Sequence, residues 1–72
     1  MIGKPKYNLG DVVTFDIYDN GQIHTLTGRI DIIDANGTFE QNEEVSYDIM
    51  VDKSDYRSTP CLYKHIRESA LR

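Results

Sequence analysis

Asp11-Val12-Val13-Thr14-Phe15-Asp16-Ile17-Tyr18-Asp19-Asn20-Gly21-Gln22-Ile23-His24-Thr25-Leu26 decides the fold. As far as Tyr18 the side chains alternate: Val13, Phe15 and Ile17 fall on one face, Val12, Thr14, Asp16 and Tyr18 on the other. A period of two in β-branched and aromatic residues marks a half-buried strand. Asn20-Gly21 comes next, and the central positions of a two-residue hairpin turn need positive φ, which Asn and Gly tolerate. The stretch predicts a strand over 11–18, a tight turn and a second strand returning antiparallel.

That second strand runs from Gln22 to about Ile33, with Leu26, Gly28, Ile30 and Ile32 sharing a face. Gly28 leaves a gap in the row and is expected to mark a bulge or sharp bend, by which a short sheet curls toward closure. Upstream, Pro5 blocks regular pairing and Leu9-Gly10-Asp11 forms a turn. Downstream, Asp34-Ala35-Asn36-Gly37 reads as a further turn, and 38–44 as a polar, acidic loop carrying Phe39.

Residues 45–52 alternate again, with Val45, Tyr47, Ile49 and Val51 inward and Ser46, Asp48 and Met50 outward. A second polar loop over 53–59 carries Tyr56 and Arg57. Pro60 suits the start of an edge strand, Cys61-Leu62-Tyr63. From Lys64 to Arg72, Ile66, Ala70 and Leu71 recur at helical intervals and predict one or two helical turns closing the barrel end. The expected core is Val13, Phe15, Ile17, Leu26, Ile30, Ile32, Tyr47, Ile49, Val51, Leu62 and Ile66.

With 72 residues, the chain is read as one domain, 1–72. The fold class expected is all-β: a small, partly open barrel of four to five strands with a short C-terminal helical turn. A single cysteine, Cys61, rules out an internal disulfide. Cys61, His24 and His65 have no zinc-type spacing, and no metal or other cofactor is implied. Small domains bury a modest share of their surface, so stability rests on this core, on an oligomer, or on both.

Leu9-Gly10-Asp11-Val12-Val13-Thr14-Phe15 resembles the opening of many SH3-like barrels, where a Gly-Asp turn leads into the first strand. Thr27-Gly28-Arg29-Ile30-Asp31-Ile32-Ile33 resembles their second strand. The resemblance implies a fold that hosts many roles. The stretch from Asn36 to Ile49, with Leu62-Tyr63-Lys64-His65-Ile66-Arg67-Glu68, resembles uncharacterised small proteins of Gram-positive bacteria and their phages or mobile elements. That resemblance implies no activity and no functional residue.

The net charge is −4, from twelve acidic and eight basic residues. Nucleic-acid affinity comes largely from neutralised phosphates, so this balance disfavours it. A local basic patch of Lys4, Lys6, Lys64, Arg67 and Arg72, with Tyr7 or Tyr63 for stacking, is the alternative reading. There is no Trp, so the polyproline groove of signalling SH3 domains is not implied. No apolar run approaches the roughly 20 residues of a membrane span. The opening residues are too polar and short for a signal peptide. A cytoplasmic location is expected, consistent with the lone cysteine.

No pair of catalytic-type residues sits at a spacing that forces them together, so an enzyme is not expected. His24 lies in register with Leu26 and reads as a partly buried strand residue. Cys61 reads as a small buried residue of an edge strand. The surface of interest combines the acidic loop with aromatics beyond the core pattern, Tyr18, Phe39, Tyr56 and Tyr63. Phe39, Glu43, Glu44, Tyr56, Tyr63, His65 and Arg67 are the candidate partner-binding residues. They suit a protein partner on a barrel rim, where Tyr is enriched at hot spots. A homo-oligomer through the edge strand Cys61–Tyr63 is a further expectation. So is an acidic inhibitor of a host enzyme, with carboxylates in place of phosphates.

Overall fold

Asn20 and Gly21 take φ values of 51° and 75°, so the turn between the first two strands has the backbone its sequence demands. The computed structural model describes residues 3–36, 44–52 and 59–72. The turn joins β1 (Val12–Asp19) to β2 (Gln22–Asp34), in the register Asp19↔Gln22 through Val12↔Arg29. β3 (Ser46–Val51) and β4 (Cys61–Arg67) follow, and one 3₁₀ turn covers Glu68–Ala70. The four strands form one antiparallel sheet in the order β1-β2-β3-β4. The fold is therefore all-β and partly open, as the alternation predicts.

The inward rows build the core. Val13, Phe15, Leu26, Ile30, Val45, Tyr47, Ile49 and Val51 are buried, joined by Leu71. Ile17, Ile33, Tyr63 and Ile66 pack against this cluster, partly buried. At ~1.5–3 kcal/mol for each large apolar side chain fully buried, this cluster is the main stabilising term.

The sheet curls where the ladder gains residues. β2 places Ile30 opposite Ile49 but Ile32 opposite Asp48, so Asp31 is an extra residue. β4 places Tyr63 opposite Ile49 and Ile66 opposite Tyr47, so Lys64 and His65 together face Asp48. Both bulges flank β3 at Asp48. A bulge bends its strand and increases its twist, and two at one level wrap β2 and β4 around β3.

These bulges correct three expectations. The bulge falls at Asp31 rather than at Gly28. Past it the strand changes phase, so Ile32 is 46% exposed and Ile33 turns inward. Lys64-His65-Ile66-Arg67 is strand and not helix: the extra residue puts Tyr63 and Ile66, three apart, on the same face. His65 takes φ 60° in this bulge, and its N–H donates to Asp48 Oδ1 at 3.1 Å. Ser46, expected outward, is buried opposite Asp34, and its hydroxyl has no hydrogen-bond partner among the described residues.

Gly28 does mark tight geometry, of another kind. A Cβ there would lie 2.5 Å from the Met50 carbonyl oxygen and 2.9 Å from Cγ2 of both Ile49 and Val51. Only a residue without a side chain lets β3 approach β2 so closely.

Closure comes from the last residues. Ala70 is exposed, while Leu71 enters the core. Arg72 then exchanges two backbone hydrogen bonds with Thr14, of 2.8 and 2.9 Å, on the edge of β1 away from β2. The 3₁₀ turn is held by Glu68: its N–H donates to the Val45 carbonyl, and its carboxylate accepts from the Tyr47 hydroxyl at 2.6 Å and the Lys6 N–H at 3.0 Å. Tyr7 packs edge-on against the Tyr47 ring, with centroids 5.7 Å apart.

Candidate functional site

Strand alternation gives the β1–β2 hairpin an outer face whose rows follow from its register: Val12 beside Arg29, Thr14 beside Thr27, Asp16 beside Thr25, and Tyr18 beside Ile23. Such directly opposed residues share a face of the sheet. Hydrogen bonds confirm it. Thr14 Oγ1 and Thr27 Oγ1 are 3.1 Å apart, and the Thr25 hydroxyl donates to Asp16 Oδ1 at 2.7 Å.

The ends of this face are apolar and open. Val12 is 73% exposed, Tyr18 75% and Ile23 67%. Isolated exposed apolar residues need no explanation, whereas a contiguous set points to contact with something else. Here Tyr18 and Ile23 lie side by side at the turn end of one hairpin face whose opposite side is the core, and Val12 lies six residues away at its other end.

The charges on the face are matched in pairs. Arg72 donates to Asp16 through both terminal guanidinium nitrogens, at 2.9 and 3.2 Å. The guanidinium first, and the Thr25 hydroxyl second, hold the Asp16 carboxyl below its ordinary range. In return Asp16 raises the Arg72 pKa. At the Val12 end, Arg29 pairs with Asp52 at 3.0 Å. The pairs neutralise each other, so this face is locally uncharged in a chain of net charge −4.

Beside the Arg29–Asp52 pair lies an open cleft of about 280 Å³, lined by Val12, Thr27, Gly28 and Met50 among others. Small-molecule pockets typically span about 300–1,000 Å³ and enclose their ligand. This cleft is smaller and open, of a size for one large side chain.

The residues singled out from sequence are placed as follows. Phe39, Glu43 and Tyr56 lie outside the described residues. Glu44 accepts a hydrogen bond from the Ser69 hydroxyl at 2.8 Å. Tyr63 is half-buried, its ring 5.7 Å from that of Phe15 and edge-on to it. His65 and Arg67 are exposed residues of β4. The fold does not gather Glu44, Tyr63, His65 and Arg67 on one face, since Tyr63 points inward and His65 occupies the bulge. His24 is half-buried opposite Ile17, and Cys61 is half-buried opposite Val51.

Sequence reasoning missed Val12, Ile23, Arg29, Met50 and Asp52. A signal existed for the first two: apolar residues on the strand face opposite the core row. Among the described residues, no group of three or more His, Cys, Asp or Glu is placed to hold a metal ion, and no helix is long and apolar enough to cross a membrane. Comparison with protein families, with curated proteins and with solved structures finds no match.

Proposed function

We propose that the chain is a small binding module for a protein partner, docking through the outer face of the β1–β2 hairpin, and that its topology is SH3-like. One observation carries the reading: Tyr18 and Ile23 are exposed side by side on a sheet face whose charges are already paired, with Val12 exposed at its far end. Interface cores are more apolar than their rims and enriched in aromatic residues, which Tyr18 beside Ile23 fits.

The basic-patch reading gains no support. Arg72 is clasped by Asp16, and the Tyr7 ring packs on Tyr47. Two of its contributors are thus engaged within the fold, in an acidic chain.

The test is affinity capture from the source cell, with wild type beside Val12→Asp, Ile23→Asp and a Lys64→Ala control. Loss of the same captured protein with both hairpin variants, and its retention with Lys64→Ala, supports the assignment. Capture indifferent to Val12 and Ile23 removes it.

A further inference from the structure

The segment Glu68 to Arg72 is fastened across the sheet by three carboxylates, and we infer that it is a latch that opens in acid while the four-stranded sheet stays folded. The inference is independent of the docking face.

Each side-chain tie of the segment has a carboxylate as acceptor. Asp16 of β1 takes the Arg72 guanidinium at 2.9 and 3.2 Å. Glu44, ahead of β3, takes the Ser69 hydroxyl at 2.8 Å. Glu68 reaches out of the 3₁₀ turn to the Tyr47 hydroxyl at 2.6 Å and the Lys6 N–H at 3.0 Å. Among the described residues, the backbone adds only the Glu68 N–H to the Val45 carbonyl and the two bonds between Arg72 and Thr14. Leu71 is the one side chain of the segment that is buried. By contrast, β1 pairs with β2 along its whole length, with Phe15 and Leu26 opposed in the core.

An ionised carboxylate is a pure acceptor, and its bonds are roughly twice as strong as those between neutral groups. Protonation removes that charge. For Asp16, held below its ordinary range by Arg72 and then by Thr25, the tie is present above the unfolded pKa and is lost as pH falls through the folded one. The other charged residues beside the turn are Lys6, whose N–H Glu68 binds, and Arg67 and Asp34, which flank Ser46 in the adjoining row. Lys6, Arg67 and Arg72 stay cationic at low pH, so neutral carboxylates leave like charges on the segment and its support. The strands keep their ladder and their core, neither of which titrates there. Segments with few buried contacts and exposed bonds open below the global free energy of unfolding.

Opening withdraws Leu71 from the core and leaves the Thr14 N–H and C=O without their partner. The open form therefore presents a strand edge and an apolar gap that the closed form covers.

Native-state hydrogen exchange of the full chain by NMR, from about pH 6 to about pH 3, is the test, read as protection factors so that the intrinsic effect of pH is removed. Protection at the amides of Thr14, Glu68, Leu71 and Arg72 should fall at least ~10-fold across that range. Thr14 points its backbone groups at Arg72, so its neighbour Phe15 points at β2. Phe15 and Leu26 should keep their protection. Asp16→Asn and Glu68→Gln preserve shape and remove the charge. In each, the segment should be less protected than wild type at about pH 6 and should respond less to acid, while Lys64→Ala behaves as wild type. Circular dichroism establishes that each variant is folded, and Asp16→Asn carries the test if Glu68→Gln is not. Protection of the segment that persists to the lowest pH overturns the inference. So does its loss in step with Phe15 and Leu26, or an acid profile that neither variant alters.

Discussion

Arg72 holds Asp16 in a two-pronged contact, at 2.9 and 3.2 Å, while its own backbone pairs with Thr14. Side chain and main chain together fasten the chain to the free edge of β1 and set Leu71 in the core.

The contact gives stability a sign in acid. The Asp16 carboxyl is held below its ordinary pKa, chiefly by Arg72 and then by Thr25. A group depressed on folding stabilises above its unfolded pKa and loses that contribution as pH falls through its folded one. Asp16→Asn is therefore expected to lower the urea midpoint at pH 7. The gap from wild type should close as pH drops below the usual Asp value of about 3.9. Urea titrations across that range check it, and a gap that persists fully in acid contradicts the assignment. Both side chains are about half exposed, so added salt should also narrow the gap.

Gly28→Ala should destabilise by roughly 1–3 kcal/mol, the usual cost of overpacking. The added methyl meets the Met50 carbonyl, a backbone atom that cannot rotate away. At Gly21 the reason for glycine differs: a Cβ there meets nothing within 4 Å, but φ is +75°. Gly21→Ala should thus cost through backbone strain alone. Equilibrium unfolding of both variants checks the pair, and a neutral Gly28→Ala would show that β3 can yield.

Tyr47 ionises late. Burial first, and the carboxylate of Glu68 second, push its hydroxyl up to about 12, against the backbone N–H groups of Tyr7 and Lys6. A pKa raised on folding gives stability that is fully present below the unfolded value, near 10, and is lost as pH rises toward about 12. Spectrophotometric titration should show a tyrosine step at a pH of about 12. Tyr47→Phe should remove that step and flatten the alkaline loss of stability. At neutral pH it should cost about 1–2 kcal/mol, for the lost bond to Glu68.

His65 tests the second bulge. A side chain at φ 60° is tolerated by His, Asn and Asp and disfavoured for β-branched residues. His65→Gly should leave stability within about 1 kcal/mol of wild type, whereas His65→Val should cost about 1–2 kcal/mol more. Thermal melts of the two variants compare them directly, and equal stability would argue against the left-handed backbone.

The hairpin was legible because its signals are local: the Asn20-Gly21 turn and the alternation around it need no distant partner. The core rows of β3 were legible for the same reason. The bulges were not, because an extra residue is defined by the register of a neighbouring strand. A bulge also imitates a helix in sequence. Tyr63 and Ile66, like Ile30 and Ile33, share a face three residues apart, a spacing that otherwise signals helical turns. Val12 and Ile23 could have been read from strand phase alone. The Arg29–Asp52 and Asp16–Arg72 pairs, and the approach of Met50 to Gly28, join segments more than twenty residues apart and emerge only once the sheet has formed.

The most direct measurement for the hairpin face as the binding surface is amide-resolved NMR, comparing the isolated chain with the chain bound to its captured protein partner. The account predicts shifted and broadened signals concentrated at Val12, Thr14, Tyr18, Ile23, Thr25 and Thr27, with β4 little changed. Perturbations confined to residues 61–67, with the hairpin signals unmoved, would contradict it.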